Sequence, residues 1–186
     1  MNYLEQRTFT RGLEYLKMVQ GFALEPGMVR VVDNAGNNSV PICTWIGENI
    51  AQVNAQLNTC LQACHECFHP QVQKRMQILG VPLAEAFGID GLCNIVARPV
   101  TILIDVGRVA PQDWLGLVAH EYAHAHVGES GHNQKFAEVL QHLCLGLGLE
   151  PPVWEVGAME ACLRNWPHCR STQDPLAFWV GRGQST

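Results

Sequence analysis

Four of the eight histidines of this chain lie in the segment HEYAHAHVGESGH, which runs from His120 to His132. His120 and His124 are four residues apart, so on a helix their rings project from the same face, one turn apart. Two imidazoles at this separation can chelate one zinc ion. Glu121 is rotated by about 100° around the helix and can reach a water held by the metal. The pattern H-E-x-x-H therefore predicts two metal ligands with a neighbouring general base.

A catalytic zinc ion needs a third protein ligand and an open position for water. The glycine-bearing turn at residues 128–131 can bring the chain back to the metal, which makes His132 the first candidate for this ligand. Glu129 and Glu138 are the carboxylate alternatives. His126 lies on a different side of the helix from the two predicted ligands, so it is a poor candidate.

The segment predicts hydrolysis of peptide bonds through a zinc-bound water, with Glu121 as the general base. Tyr122 and His126 are close in sequence, and we expect both to pack or to face solvent rather than to act on the substrate. A protein or peptide substrate is expected to pair with an exposed strand edge beside the metal. Residues 40–46 and residues 100–104 are the candidate strands for this edge.

Hydrophobic periodicity and the positions of Gly and Pro predict the elements that must hold this segment. Helices are predicted for residues 10–20, 47–68, 71–79, 111–127 and 133–147. Strands are predicted for residues 28–32 and 40–46, which form a hairpin around a turn at 33–38, and for residues 94–106. Pro41 places the second hairpin strand at a sheet edge, whereas the β-branched run from Val100 to Ile104 indicates burial on both faces. Residues 150–186 give no clear pattern, and residues 154–169 are a candidate lid over the metal.

Composition and charge indicate a single folded α+β domain over residues 1–186. Hydrophobic residues make up 47% and charged residues 16% of the chain, and the formal net charge is −5. The basic residues are scattered, so the sequence gives no electrostatic footprint for nucleic acid, although a patch formed only by the fold stays open. No stretch approaches the roughly 20 apolar residues that span a bilayer, and no signal peptide pattern is present. We therefore expect a cytoplasmic protein without a membrane partner, whose oligomeric state is open.

Three cysteines, Cys60, Cys64 and Cys67, have the C-x-x-x-C-x-x-C spacing that radical-SAM enzymes use to bind an iron–sulfur cluster. The same positions continue the apolar stripe of a predicted helix, and free cysteine is among the most buried residue types. Core packing is therefore the favoured interpretation, and a second zinc site and an iron–sulfur cluster are the alternatives. The further ligands that could join a second zinc site are Cys162, His168 and Cys169.

The segment AHEYAHAHVGESGHNQKFAEVLQHL resembles the active-site region of the SprT-like and WLM-type zinc metalloproteases. In those families a helix with H-E-x-x-H is followed by a glycine turn and by a histidine that precedes an aromatic residue on the next helix, as His132 and Phe136 do here. The resemblance implies zinc bound by His120, His124 and His132, with Glu121 as the base. It also implies a compact zincin-like domain, in which a small sheet packs on helices and the motif lies on a central helix.

Three functions compete on these observations. A zinc-dependent metallopeptidase accounts for the histidines and for Glu121 together. A non-catalytic zinc-binding module for protein partners would need the same ligands without the base. An iron–sulfur protein would depend on the cysteine trio alone.

Overall fold

The computed structural model of the chain describes residues 3–30 and 39–182. Within these ranges the fold is α+β, which confirms the predicted class: a small mixed sheet packs on helices. The helices are α1 (Tyr3–Gln20), α2 (Ser39–Glu66), α3 (Trp114–Val127), α4 (Gln134–Leu147), α5 (Met159–Asn165) and α6 (Pro175–Trp179). The strands are β1 (Met76–Gly80), β2 (Gly91–Asn94) and β3 (Val100–Ile104). No helix of the described ranges combines the length and the apolar character needed to cross a membrane.

The long helix α2 includes residues 40–46, which the sequence pattern had indicated as an edge strand. Pro41 lies in the first turn of α2, where a proline loses no helical hydrogen bond because the first N–H groups have no partner. Ile42 and Ile46 are buried and begin the apolar stripe that continues along the helix. The strand prediction is therefore wrong, because the helical period starts before the glycine that had been taken as its boundary.

In the other half of the predicted hairpin, residues 28–30 do not form the predicted strand, and residues 31 and 32 lie outside the described residues. Pro26–Met28 forms a 3₁₀ turn, and Val29 makes an isolated antiparallel bridge to Leu83 instead of a strand. The predicted turn at residues 33–38 lies outside the described residues. The N-terminal helix is correctly placed, but α1 extends back to Tyr3 and packs along α2.

The sheet has the order β1-β3-β2, with β1 parallel and β2 antiparallel to β3. Every residue of β3 is buried, as its β-branched run predicted. The single strand predicted at residues 94–106 is divided by a loop, so that its first residue ends β2. The helix predicted at residues 71–79 is wrong, because Met76–Gly80 pairs with β3 and tertiary pairing outweighs local propensity there.

This topology determines which strand edges are free. Val100–Ile104 is the central strand, so neither of the two segments predicted to offer an edge to a substrate does so. β1 and β2 are the edge strands of the sheet. Helix α2 packs on β1, and α3 packs on β2 and β3, so β2 is the edge strand that lies beside the H-E-x-x-H helix.

Candidate metal centre

Helix α3 lies at the centre of the fold, and nearly all of its residues are buried. Its bounds confirm the predicted helix apart from the first residues, where Pro111–Asp113 forms a 3₁₀ turn. His120 and His124 are only 7% and 8% exposed, and their rings lie 5.1 Å apart. The helix ends at Gly128, whose left-handed conformation (φ 81°) lets its N–H donate to the carbonyl of His124. A residue with a side chain rarely adopts that conformation, which explains the glycine at this position.

The chain then turns back and places His132 against the two helical histidines. Its Nε2 atom lies 3.1 Å from Nε2 of His120 and 3.2 Å from Nε2 of His124. Among the described residues, these three form the one group of three or more potential ligand atoms that lie within 4.8 Å of one another. Ligands at about 2.0–2.1 Å from a tetrahedral ion would be roughly 3.3 Å apart. The structure therefore brings together the three imidazoles that the spacing indicated, in an arrangement of the size that one ion needs.

Neighbouring residues fix the orientation of the three rings. Asn133 caps α4, because its Oδ1 accepts a hydrogen bond from the N–H of Phe136. The ring of Phe136 is fully buried and lies 4.4–5.1 Å from all three imidazoles. Nδ1 of His124 lies 3.1 Å from the carbonyl of Glu129. Donation of the Nδ1 proton to this carbonyl leaves Nε2 of His124 with its lone pair directed at the other two rings, as a metal ligand requires.

The electrostatic environment keeps the imidazoles neutral. Burial lowers the pKa of His120 to about 3 and that of His124 to about 4, with a further contribution from the neighbouring histidines. Burial also lowers the pKa of His132. The backbone of Trp166 acts on His120 in the opposite direction, although Nδ1 of His120 forms no hydrogen bond of normal geometry within the described residues. Neutral imidazole is the form that binds metal ions.

Glu121 lies next to the triad, 6% exposed, between α3 and the edge strand β2. Burial raises its pKa to about 8. A Cβ atom on Gly91 would lie 3.1 Å from Cδ1 of Ile104 and 3.2 Å from both Cγ and Oε1 of Glu121, so a larger residue at position 91 would crowd the carboxyl. Cys93 is two residues further along β2 and so projects from the same face as Gly91; burial, and then the charge of Glu121, raise the pKa of its thiol. A carboxyl whose pKa is raised from its ordinary value towards neutral pH, beside a metal site, is suited to act as a general base.

The register of the sheet leaves backbone groups of β2 free at this position. The N–H of Asp105 donates to the carbonyl of Asp90, and the strands pair antiparallel with Gly91 opposite Ile104. In such a ladder the residues alternate, so the N–H and C=O groups of Gly91 and Cys93 point away from β3. The N–H of Val81 donates to the carbonyl of Ile104 from the other side, as this alternation requires. Among the described residues, these outward-facing backbone groups of Gly91 and Cys93 have no strand partner.

The triad and Glu121 open into a cleft of about 890 Å³. The cleft is lined by α3, by β2 with its adjacent loops, by Ser130 and by the segment from Arg164 to Cys169. Part of the region predicted as a lid thus borders the cleft. A second cavity, of about 610 Å³, borders the same segment and shares residues 165–169 with the first.

The remaining candidate ligands lie away from the triad. Glu129 contributes its carbonyl to His124, while its exposed carboxylate pairs with Lys135 at 2.9 Å. Glu138 is exposed on α4, where it accepts a hydrogen bond from Gln134. Neither carboxylate belongs to the group of converging ligand atoms, so His132 is the third ligand that the geometry favours.

Tyr122 and His126 face the opposite side of α3, toward α2. The hydroxyl of Tyr122 lies 3.0 Å from Nδ1 of His65, and its ring stacks on Phe68. The ring of His126 also stacks on Phe68, at 4.2 Å. Both side chains pack, as expected from the sequence, and neither lines the cleft.

All eight cysteines are free thiols. Cys60, Cys64 and Cys67 lie along α2 and just after it, and burial raises the pKa of each. They do not converge on a common point, and neither do Cys162, His168 and Cys169: no second cluster of metal ligands is found in the described ranges. Core packing is the interpretation that this geometry favours for the trio.

Sequence reasoning missed the residues that border the site from distant parts of the chain. Gly91 and Cys93 belong to a four-residue strand whose pattern is too short to show its partner. Arg164 and Asn165 belong to a tail without clear periodicity. Gly91, which begins β2, and Gly128, which ends α3, are both visible in the sequence. Only the fold shows that Gly91 faces Glu121.

In comparisons with known proteins, no family model matches this chain, and neither a curated protein nor a solved structure is detectably similar to it. The arrangement of residues in the cleft is therefore the basis for the functional argument.

Proposed function

We propose that this chain is a zinc-dependent metallopeptidase, related in the design of its site to the SprT-like and WLM-type enzymes that its H-E-x-x-H segment resembles. The observation that carries the proposal is the convergence of three Nε2 atoms within 4.8 Å, next to a buried carboxyl and beside a free strand edge. A site that only binds a metal would need the three converging Nε2 atoms but neither the buried carboxyl nor the strand edge. Their combination in one cleft is what hydrolysis of a peptide requires.

The three residues that would hold the metal fit a zinc ion. Zinc is commonly bound by three imidazoles in catalytic sites, with the fourth position open to water or substrate. His120, His124 and His132 are held neutral by burial, and the ring of His124 is oriented by a backbone carbonyl. When bound, the metal would polarise the substrate carbonyl and lower the pKa of a water molecule at the open position.

Glu121 supplies the proton transfers. Because burial raises its pKa to about 8 in the metal-free protein, the carboxyl holds a proton strongly, and a nearby divalent cation favours its ionised form. As a carboxylate it accepts a proton from the attacking water, and it then gives that proton to the amine of the leaving peptide. The C–N bond breaks as the nitrogen takes up this proton, which leaves in the product amine, so Glu121 is regenerated as a carboxylate.

The free edge of β2 positions the substrate. An extended peptide can pair with the N–H and C=O groups of Gly91 and Cys93 by strand addition. Gly91 faces Glu121, so a peptide bond paired at this position lies beside both the base and the metal ligands. Backbone pairing of this kind holds a peptide without selecting its sequence, and the side walls of the cleft then select among side chains.

The test is metal analysis combined with hydrolysis of an unfolded protein substrate. Glu121→Gln should retain one zinc ion per chain while hydrolysis falls by at least 100-fold, because the general base is lost. His120→Ala and His132→Ala should each lose the zinc. Glu138→Gln, which changes an exposed carboxyl on the next helix, is the matched control and should retain both zinc and activity.

The possible outcomes separate the competing functions. Full activity of the Glu121→Gln variant would refute the assignment of the base. One zinc ion per chain without hydrolysis of any unfolded protein would favour the non-catalytic zinc-binding module. A brown protein whose colour disappears when Cys60, Cys64 and Cys67 are replaced would favour the iron–sulfur alternative.

A further inference from the structure

We infer that Arg164 binds a carboxylate group of the substrate beside the metal centre, so that the cleft selects peptides carrying a negative charge close to the bond that is cut. This inference rests on the proposed peptidase function and adds a substrate class to it.

Two parts of the chain line the cleft beside the triad. β2 and its neighbouring loops contribute mainly apolar side chains, with the half-buried Asp90 as their one carboxyl group. The segment from Arg164 to Cys169 contributes the polar side chains of Arg164, Asn165 and His168 beside Trp166, Pro167 and Cys169. A peptide lying along β2 would therefore meet its cationic partner in the segment that contains Arg164.

Arg164 is the only lysine or arginine among the described residues that line the cleft. It lies at the end of α5 and lines the cleft together with the triad residue His132. Its partner within the chain is Glu160, whose carboxylate lies 2.6 Å away with both side chains about two-thirds exposed. Such a solvent-exposed pair contributes little stability, so the guanidinium can exchange Glu160 for a ligand.

The chemistry of the cleft favours a carboxylate as that ligand. Guanidinium binds carboxylates through two parallel hydrogen bonds, an arrangement that lysine cannot reproduce. A divalent ion on three neutral imidazoles would add positive charge a short distance away. The carboxylate can come from the C-terminus of the substrate or from an Asp or Glu side chain, because both present the same group to Arg164.

The test measures the affinity of thiol compounds for the zinc-loaded full-length protein by calorimetry. Mercaptoacetyl-leucine is compared with its C-terminal amide, which tests a C-terminal carboxylate. Mercaptoacetyl-glutamate amide is compared with the glutamine analogue, which tests an acidic side chain. In each pair the thiol can bind the zinc equally well, and only the carboxylate differs.

We expect at least one carboxylate compound to bind the wild type about tenfold more tightly than its neutral partner. Arg164→Gln should abolish this preference, Arg164→Lys should retain part of it, and Glu160→Gln should increase it. The matched control is Lys135→Gln, which removes the same charge from another exposed ion pair near the triad but outside the cleft. This variant should keep the wild-type preference.

The inference is overturned if the wild type shows no preference in either pair, or if Arg164→Gln keeps the same preference as the wild type. Ligand affinity does not depend on hydrolysis. A protein that cuts no peptide but shows the Arg164-dependent preference would refute the proposed function while supporting carboxylate binding by Arg164. An active peptidase without the preference would do the reverse.

Discussion

Replacing Glu121 by glutamine should stabilise the metal-free protein, and the gain should depend on pH in a defined way. Burial raises the pKa of Glu121 from its ordinary value of 4.5 to about 8, so the folded state binds a proton that the unfolded state releases. Stability from this group is therefore fully present below pH 4.5 and is lost as the pH rises to 8. Glutamine has nearly the same shape as glutamate and no charge, so the stability of the variant should not fall in this way as the pH rises.

The magnitude follows from the two pKa values. Each pH unit between 4.5 and 8 lowers the free energy of unfolding by about 1.4 kcal/mol. At pH 7, the variant should therefore be more stable than the wild type by on the order of 3 kcal/mol, with a larger gain at pH 8 and almost none at pH 4.5. The buried histidines act in the opposite direction, because their lowered pKa values make the fold less stable as the pH falls below 6.5. They are present in both proteins and cancel in the difference.

Urea denaturation in the presence of EDTA at pH 5, 6, 7 and 8 measures this difference. The exposed Glu138→Gln variant is the control and should follow the wild type. Repeating the series with saturating zinc should reduce the advantage of Glu121→Gln, because a nearby cation stabilises the carboxylate of the wild type. Identical pH dependence of the wild type and the variant in EDTA would refute the argument, since it would mean that Glu121 reaches water in the metal-free fold.

Two further variants test how the fold supports the site. Gly91→Ala should lower kcat about tenfold with unchanged zinc content, because the new Cβ would lie 3.1 Å from Ile104 and 3.2 Å from the Glu121 side chain, and the shift that relieves these contacts displaces the base. Gly131→Ala, whose Cβ meets nothing within 4 Å, should leave kcat unchanged, and equal kcat values for both variants would contradict the positioning role of Gly91. Asp105→Asn should lower the free energy of unfolding by about 2–4 kcal/mol in urea denaturation, because the buried carboxylate accepts hydrogen bonds from two backbone N–H groups and from the indole of Trp179. A loss below about 0.5 kcal/mol would show that this carboxylate does not hold the C-terminal segment to the sheet.

The sequence predicted best what depends on short-range spacing. His120 and His124 project from one face because the helical period is local, and the boundaries of α4 follow from the Asn133 cap and from Gly148, whose φ is 68°. The turn that returns His132 lies between Gly128, which ends α3, and the Asn133 cap of α4. The three converging imidazoles could therefore be expected from about a dozen consecutive residues.

The sequence failed where tertiary pairing decides the outcome. Met76–Gly80 became a strand because β3 was available as a parallel partner, which no local pattern shows. Residues 40–46 were misread because Pro41 is compatible both with an edge strand and with the first turn of a helix. The strand edge for the substrate was also predicted wrongly, because the position of an edge depends on the whole sheet. Val100–Ile104 is paired on both sides, by β1 and by β2, and therefore has no free edge.

Helix α3 departs from ordinary core design in a way that itself indicates a ligand. His120, Glu121 and His124 lie in its buried stretch, although ionisable side chains in a protein interior destabilise it unless they are paired. Their pKa values move in opposite directions, so the metal-free protein holds neutral imidazoles beside a protonated carboxyl. A divalent cation would give the lone pairs of the neutral imidazoles a partner. It would also favour the ionised form of the Glu121 carboxyl. Metal binding to the folded state should therefore stabilise the whole domain by linkage, and this stabilisation should fall when any one imidazole of the triad is removed.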